Sequence, residues 1–355
     1  YNVIGDVGSF ASSFNQPGDQ TGTMAAPLNP VLSPLSRHGG LIPVHVPLPG
    51  SPLLDKGRRI SRDARGVTLV DLGGIPNATE GNGGDIGAVE LSPLQVSTLN
   101  DGGPGSLRQI LQDAPAAPVV TDILIAPNVP PGAKITLTSG ELLVGKNVSI
   151  HGPGARNLTV SGNRQSRVLA VQPGARVSIS GLTLADGNGI GAISNNSGGI
   201  VLSAAGSQLT MVNTVLRNGR ANVVYGGWFL AGFGEFTSSA IIGTRSDALG
   251  VVDRGMLLMH RATVSNCSLR CFAVGSQADA SVIDSTFAAA SSELVSIFGR
   301  AFTRNTLFAG SLGVVPPAVL ISGGHNLVGS TDSTVFNAPG DQVGTPAVPI
   351  ALRLS

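Results

Sequence analysis

The sequence predicts an all-β chain wound as a parallel β-helix, a solenoid of stacked coils. Composition is the first ground. Of 355 residues, 49 are Gly and 23 Pro; charged residues are 12% and aromatics 4%, yet 42% are hydrophobic. A chain of this kind buries a long core of small and β-branched side chains and is far from a disordered profile. The second ground is a short phrase that returns in phase from about residue 134 onward. The third is the punctuation: many short strand patterns separated by Gly, Asn, Asp and Ser.

The phrase stacks as Leu182-Thr183-Leu184, Asn213-Thr214-Val215, Ser239-Ala240-Ile241, Ala262-Thr263-Val264, Ser285-Thr286-Phe287 and Asn305-Thr306-Leu307. Its centres step by 31, 26, 23, 23 and 20 residues. Each unit holds an alternating strand, a polar turn and a second short strand, as in Ser207 to Gly219. Coils of 20 to 30 residues define a solenoid. A β-sandwich is the competing fold, and the Asn-Gly pairs at 188–189 and 218–219 supply hairpin turns for it. Antiparallel reversal does not require the alternation to return in phase, so the parallel β-helix is favoured. Coils then pair at about 4.8 Å, with Asn and small residues at left-handed corners.

The ends of such a rod are open strand edges that need cover. At the first end, Ser106 follows a Gly/Pro turn and precedes apolar residues at 107, 110 and 111, which predicts a short capped helix over the first coil.

Both termini carry one longer phrase. Phe14-Asn15-Gln16-Pro17-Gly18-Asp19-Gln20-Thr21-Gly22-Thr23 returns as Phe336-Asn337-Ala338-Pro339-Gly340-Asp341-Gln342-Val343-Gly344-Thr345, at an offset of 322. Upstream, Tyr1-Asn2-Val3-Ile4-Gly5 matches His325-Asn326-Leu327-Val328-Gly329 at an offset of 324. Two matched blocks in one order indicate tandem repetition rather than a common turn. The expected organisation is therefore a closing or junction region of a preceding repeat over 1–92, a helix and β-helix over 93–324, and the start of the next closing region over 325–355, homologous to 1–35. Phe14, Asn15, Pro17, Gly18, Asp19, Phe336, Asn337, Pro339, Gly340 and Asp341 are the candidate junction residues.

Ser97-Thr98-Leu99-Asn100-Asp101-Gly102-Gly103-Pro104-Gly105-Ser106-Leu107-Arg108-Gln109 resembles the start of large bacterial right-handed parallel β-helix surface and secreted proteins. In these proteins the phrase precedes a capping helix. Ile150-His151-Gly152-Pro153-Gly154-Ala155 and Val177 to Leu184 continue the resemblance into the first coils. Leu35 to Gly40, Leu48 to Gly57 and Asp85-Ile86-Gly87-Ala88-Val89-Glu90 are similar to the closing region of the "choice-of-anchor Q domain" type, which there follows the coils but here precedes them. Arg37-His38 stands where those proteins have Asp-Asn. The resemblance implies a right-handed solenoid with a loop-rich closing region, at the cell surface or outside the cell.

Other chemistry finds little support. A net charge of +1 gathers neither nucleic acid nor an anionic membrane. The basic run Lys56, Arg58, Arg59, Arg62 and Arg65 reads as a solvated loop, because no aromatic is interleaved to stack on bases. No apolar run is long enough to span a bilayer as a helix. Cys267 and Cys271 are either bridged or two buried thiols. Asp247, Asp253, Arg254, Asp279, Asp284 and Glu293 are the coil residues to weigh as glycosidase or lyase groups, and turn roles explain them better. Trp228 and Tyr225 read as packed rather than as a sugar platform. Calcium is the one cofactor candidate, at Asp19, Asp85, Glu90 and Asp341 in Gly-rich turns. The expected function is a non-catalytic structural repeat whose partners are neighbouring copies of itself. A glycan-binding adhesin or a polysaccharide-degrading module, with surface glycans as partners, is the alternative.

Overall fold

The computed structural model describes residues 1–355 except 36–41, 49, 59–61, 66–70, 73–74, 92, 117–119, 126–128, 290–293, 333 and 351–355. The Arg37-His38 pair, Arg59 and Glu293 therefore lie outside the described residues. The chain is an all-β parallel β-solenoid of about 9 turns. A complete coil contributes three strands, such as Met256–His260, Thr263–Ser265 and Phe272–Val274. The first strand of each coil joins a 10-stranded sheet, and the other two share a 17-stranded sheet. Among the described residues every pairing between strands is parallel, so each coil's backbone groups are satisfied by the coils beside it.

The register corrects the stacking at two places. Thr183 pairs with Val215, not Thr214, and Thr286 pairs with Leu307, not Thr306. Thr214 and Thr306 instead belong to a corner column with Ser239, Ala262, Ser285 and Asn326. There each polar side chain bonds its neighbours: Thr214 Oγ1 donates to the Val212 carbonyl at 3.1 Å, and the Thr214 amide donates to Ser239 Oγ at 3.0 Å. Higher in the column, the Thr306 amide donates to Asn326 Oδ1 at 3.1 Å. The residue before each corner is left-handed: Asn213 (φ 51°), Ser238 (49°), Arg261 (51°), Asp284 (52°), Asn305 (48°) and His325 (58°). Ser238 and Arg261 show that the stacked coils impose this geometry even where the side chain does not favour it.

Inward positions form ladders. Leu184, Leu216, Ile241, Val264, Phe287, Phe308 and Val328 follow one another in register and are buried. Toward the last coils the interior becomes an aromatic stack. Phe272 to Phe287 is 5.5 Å between ring centroids, Phe287 to Phe308 is 5.3 Å, and Phe308 to Phe336 is 6.4 Å. Trp228 is fully buried, donates from Nε1 to Ser203 Oγ at 2.9 Å and tilts against Phe236, so it is a core residue as expected. Cys267 and Cys271 are joined by a disulfide across a corner.

The helix is Leu107–Asp113, with Ser106 Oγ accepting from the Gln109 amide at 3.2 Å. Leu107, Ile110 and Leu111 enter the main core beside Val96 and Ile123. Mid-chain strands such as Asp279–Ile283 bury alternate residues only. Val120–Ile125 and Asn147–His151 are buried throughout. In the first of these, Ile123 and Ile125 face the solenoid core, while Leu124 packs outward with Val44, Val46, Leu54, Val89 and Leu91. The region before residue 92 thus lies over the outer face of the chain's own first coils.

Candidate functional site

The candidate site is the pair of end blocks. In the first, Val3 and Ile4 pair with Gln20 and Thr21. Asp19 locks the turn: Oδ1 accepts from the Asn2 amide at 2.9 Å and from Asn2 Nδ2 at 2.8 Å, and Oδ2 accepts from the Gln16 amide at 3.1 Å. These bonds, led by the one from the Asn2 side chain, hold the Asp19 carboxyl below its ordinary range. The Gln20, Gly22 and Leu28 amides then donate to Asn2, Ile4 and Gly5 carbonyls at 2.8, 2.9 and 2.8 Å.

The second block repeats this bond for bond. Leu327 and Val328 pair with Gln342 and Val343. Asp341 Oδ1 accepts from the Asn326 amide at 2.9 Å and from Asn326 Nδ2 at 3.1 Å, and Oδ2 accepts from the Ala338 amide at 3.1 Å. The Gln342, Gly344 and Ile350 amides donate to Asn326, Val328 and Gly329 carbonyls at 2.8, 3.0 and 2.9 Å. Gly18 (φ 85°) and Gly340 (φ 80°) need glycine for one reason: a Cβ would strike the ring of Tyr1 or of His325. The two-residue difference in offset falls in the intervening loop, which in the first block carries the 3-10 turns of Gly8–Ser13.

Of the candidate junction residues, Gly18, Asp19, Gly340 and Asp341 hold these turns, and Asn15, Pro17, Asn337 and Pro339 lie exposed on them. The phenylalanines separate the two blocks. Phe336 is buried against Phe308 at the end of the aromatic stack, whereas Phe14 is half-buried.

A second polar centre fastens the region before residue 92. Arg65 was expected in a solvated run, but its side chain is fully buried in a fork on Asp122, at 2.8 Å from Nη1 and 2.9 Å from Nη2. Its Nη2 also donates to the Glu90 carbonyl at 2.8 Å, and its Nε to Asp63 Oδ2 at 3.2 Å. Asp122 lies on the outer face of Val120–Ile125, paired in register with Ser149 of the next coil, so nothing in the local sequence marks it as the partner of a residue 57 positions away. Burial works against the charge on Asp122, yet Arg65, with a hydrogen bond from His151, keeps its carboxyl far below the usual carboxylate range.

The remaining calcium candidates serve the backbone. Asp85 accepts from the Asp55 and Leu91 amides at 2.8 and 2.7 Å, and Glu90 Oε2 accepts from the Asp85 amide at 3.1 Å. Among the described residues no group of three or more His, Cys, Asp or Glu is arranged to hold a metal ion. The weighed coil acids are spread out. Asp247 pairs with Arg270 at 2.6 Å, Asp279 with Arg300 at 2.6 Å, and Asp284 with His260 at 2.7 Å. Asp279 stacks on Met256, not on Asp253.

Burial pushes the Asp85 carboxyl up to about 7, despite the two amides that favour its charge. The folded chain then holds a proton that the unfolded chain releases near pH 4. Asp85's contribution is full below about pH 4 and is lost as pH rises toward about 7. Urea midpoints at pH 5 and pH 8 check this: Asp85→Asn should flatten the fall seen in the wild type. An equal fall in both proteins places the titration elsewhere.

No known protein family matches this chain, and no curated protein is significantly similar to it. Its class rests on the fold: it is a parallel β-solenoid bearing one end block twice.

Proposed function

We propose that the chain is a non-catalytic structural repeat of an exported bacterial cell-surface or extracellular fibre, assembling head to tail. One observation carries this reading. The same hydrogen-bonded block is built twice in one chain, and the second copy is seated on the last coil. If each copy of the block seats on a last coil, block and coil meet as two different surfaces, and such a heterologous contact extends into an open filament. The likeness of residues 97–109 and 50–57 to "choice-of-anchor Q" surface proteins supports export. So does the Cys267–Cys271 disulfide, a bond that persists in oxidising compartments.

Negative-stain electron microscopy of the purified chain tests this. Rods are expected with a regular axial period of no less than roughly 40 Å, from about nine turns at ~4.8 Å each. Uniform particles of single-copy size would refute it.

A further inference from the structure

We propose that the outer face of the 10-stranded sheet, over the strands Met256–His260, Asp279–Ile283, Arg300–Arg304 and Val319–Ser322, docks side to side with a second copy of this chain. The second copy is turned about a two-fold axis, so the two rods lie antiparallel. The inference goes beyond the head-to-tail reading and does not depend on it.

Along these strands Leu257, Met259, Ala280, Val282, Ala301 and Leu320 enter the core, so the residues between them face outward. One outward column runs Met256, Asp279, Arg300 and Val319, and its neighbour runs Leu258, Ser281, Phe302 and Ile321. Met256 is 44%, Leu258 40%, Val319 46% and Ile321 55% exposed, and with Phe302 they line one groove of about 300 Å³. Earlier in the sheet the second column is polar, with Asp122, Ser149, Ser178, Thr210 and Glu235. It turns apolar at Leu258. A contiguous apolar patch on an exposed face marks an interaction site. Residues 44–91 cover the coils that follow them in sequence, so a repeat of that region would lie over the next solenoid and leave this side face bare.

Charge identifies the occupant. Arg300 holds Asp279 on the adjacent strand, Nε to Oδ1 at 2.6 Å and Nη2 to Oδ2 at 2.7 Å, and the pair lies between Met256 and Val319. An axis along the strands, midway between Asp279–Ile283 and Arg300–Arg304, sets Asp279 against the second copy's Arg300 and Arg300 against its Asp279. Four charges of alternating sign then close a ring. The same rotation sets Met256 against Val319, Leu258 against Ile321 and Ser281 against Phe302. Each contact is made twice, as an isologous interface requires. Moving the axis onto either strand would set Asp279 against Asp279 or Arg300 against Arg300, so the charges fix the register.

The test uses the full chain. Asp279→Arg and Arg300→Asp should each stay unpaired in sedimentation velocity at concentrations where the wild type pairs, because each brings like charges together. An equimolar mixture of the two should pair again, since every charge across the axis then meets its opposite. Both positions lie at the surface, and circular dichroism checks that each variant is folded. Leu258→Cys with Ile321→Cys in one chain should give a covalent dimer and nothing larger on a non-reducing denaturing gel; either cysteine alone should give none. The native pair, already bridged and buried, does not compete. A mixture of folded variants that stays unpaired, cysteines that give no dimer, or a covalent ladder overturns the proposal. Electron micrographs should show rods side by side. Single rods that keep the axial period overturn the pairing and leave the head-to-tail reading standing; paired particles of two-copy size without that period uphold the pairing and remove the head-to-tail reading.

Discussion

Arg65→Ala should destabilise the chain by about 3–5 kcal/mol, the cost of leaving one half of a buried ion pair without its partner. Asp122 is fully buried, and the fork from Arg65 supplies both of its strongest bonds. Without it the carboxylate is left with the contact from His151 Nε2 at 3.3 Å. The Glu90 carbonyl and Asp63 lose a donor at the same time. Arg65→Met combined with Asp122→Leu should recover most of the loss, because an apolar pair of similar volume replaces a buried ion pair at little cost. The pH dependence separates the charge from the packing. Asp122 has a depressed folded value, so its contribution is complete above its unfolded value near 4 and is lost as pH falls below it. That acid-side loss should shrink in Arg65→Ala. Urea unfolding of the three proteins at pH 3 and pH 7 reads these effects, and a loss at pH 7 below about 1 kcal/mol would show that the clamp is dispensable.

The difference between Arg65 and the coils shows what kind of information a sequence carries. The coils were legible because alternation and the Thr/Ser/Asn corner recur locally, and each recurrence constrains the next. The slips at Thr214 and Thr306 have one cause. Threonines of one column look alike in sequence, but the backward bonds of Thr214 and Thr306 to the Val212 and Arg304 carbonyls set these two at the corner, one residue before the strand. The end blocks were legible as a pair, because the two copies share Asp, Gly and Asn at the positions that close the turn. What the sequence hid is the cover over the outer face of the first coils. Alternation announces one inward face; it does not reveal that Leu124 and Asp122 on the other face meet residues 44–91. A lone arginine among lysines and arginines reads as solvated until that cover is seen. The cysteines were equally open, since a spacing of four permits a bridge without requiring one.

Phe308→Ala should cost about 3–5 kcal/mol, the range for truncating a buried phenylalanine, with its effect concentrated on the C-terminal block. Phe308 is 1% exposed and lies between Phe287, stacked at 11° between ring planes, and Phe336, tilted at 59°. Truncation opens a cavity at the point where the aromatic stack passes from the solenoid into the block. Phe287→Ala removes a similar ring but leaves the Phe308–Phe336 contact intact, so the two variants should unfold different regions first. Hydrogen exchange discriminates between them. In Phe308→Ala the Gln342 and Gly344 amides, which donate to Asn326 and Val328 carbonyls, should lose protection before the middle coils do. Phe308→Leu keeps most of the volume and should cost less than about 1.5 kcal/mol. Unchanged protection at Gln342 and Gly344 in a folded Phe308→Ala would mean that the block is held by its hydrogen bonds alone. Loss of that protection would make the ring contact the stronger hold.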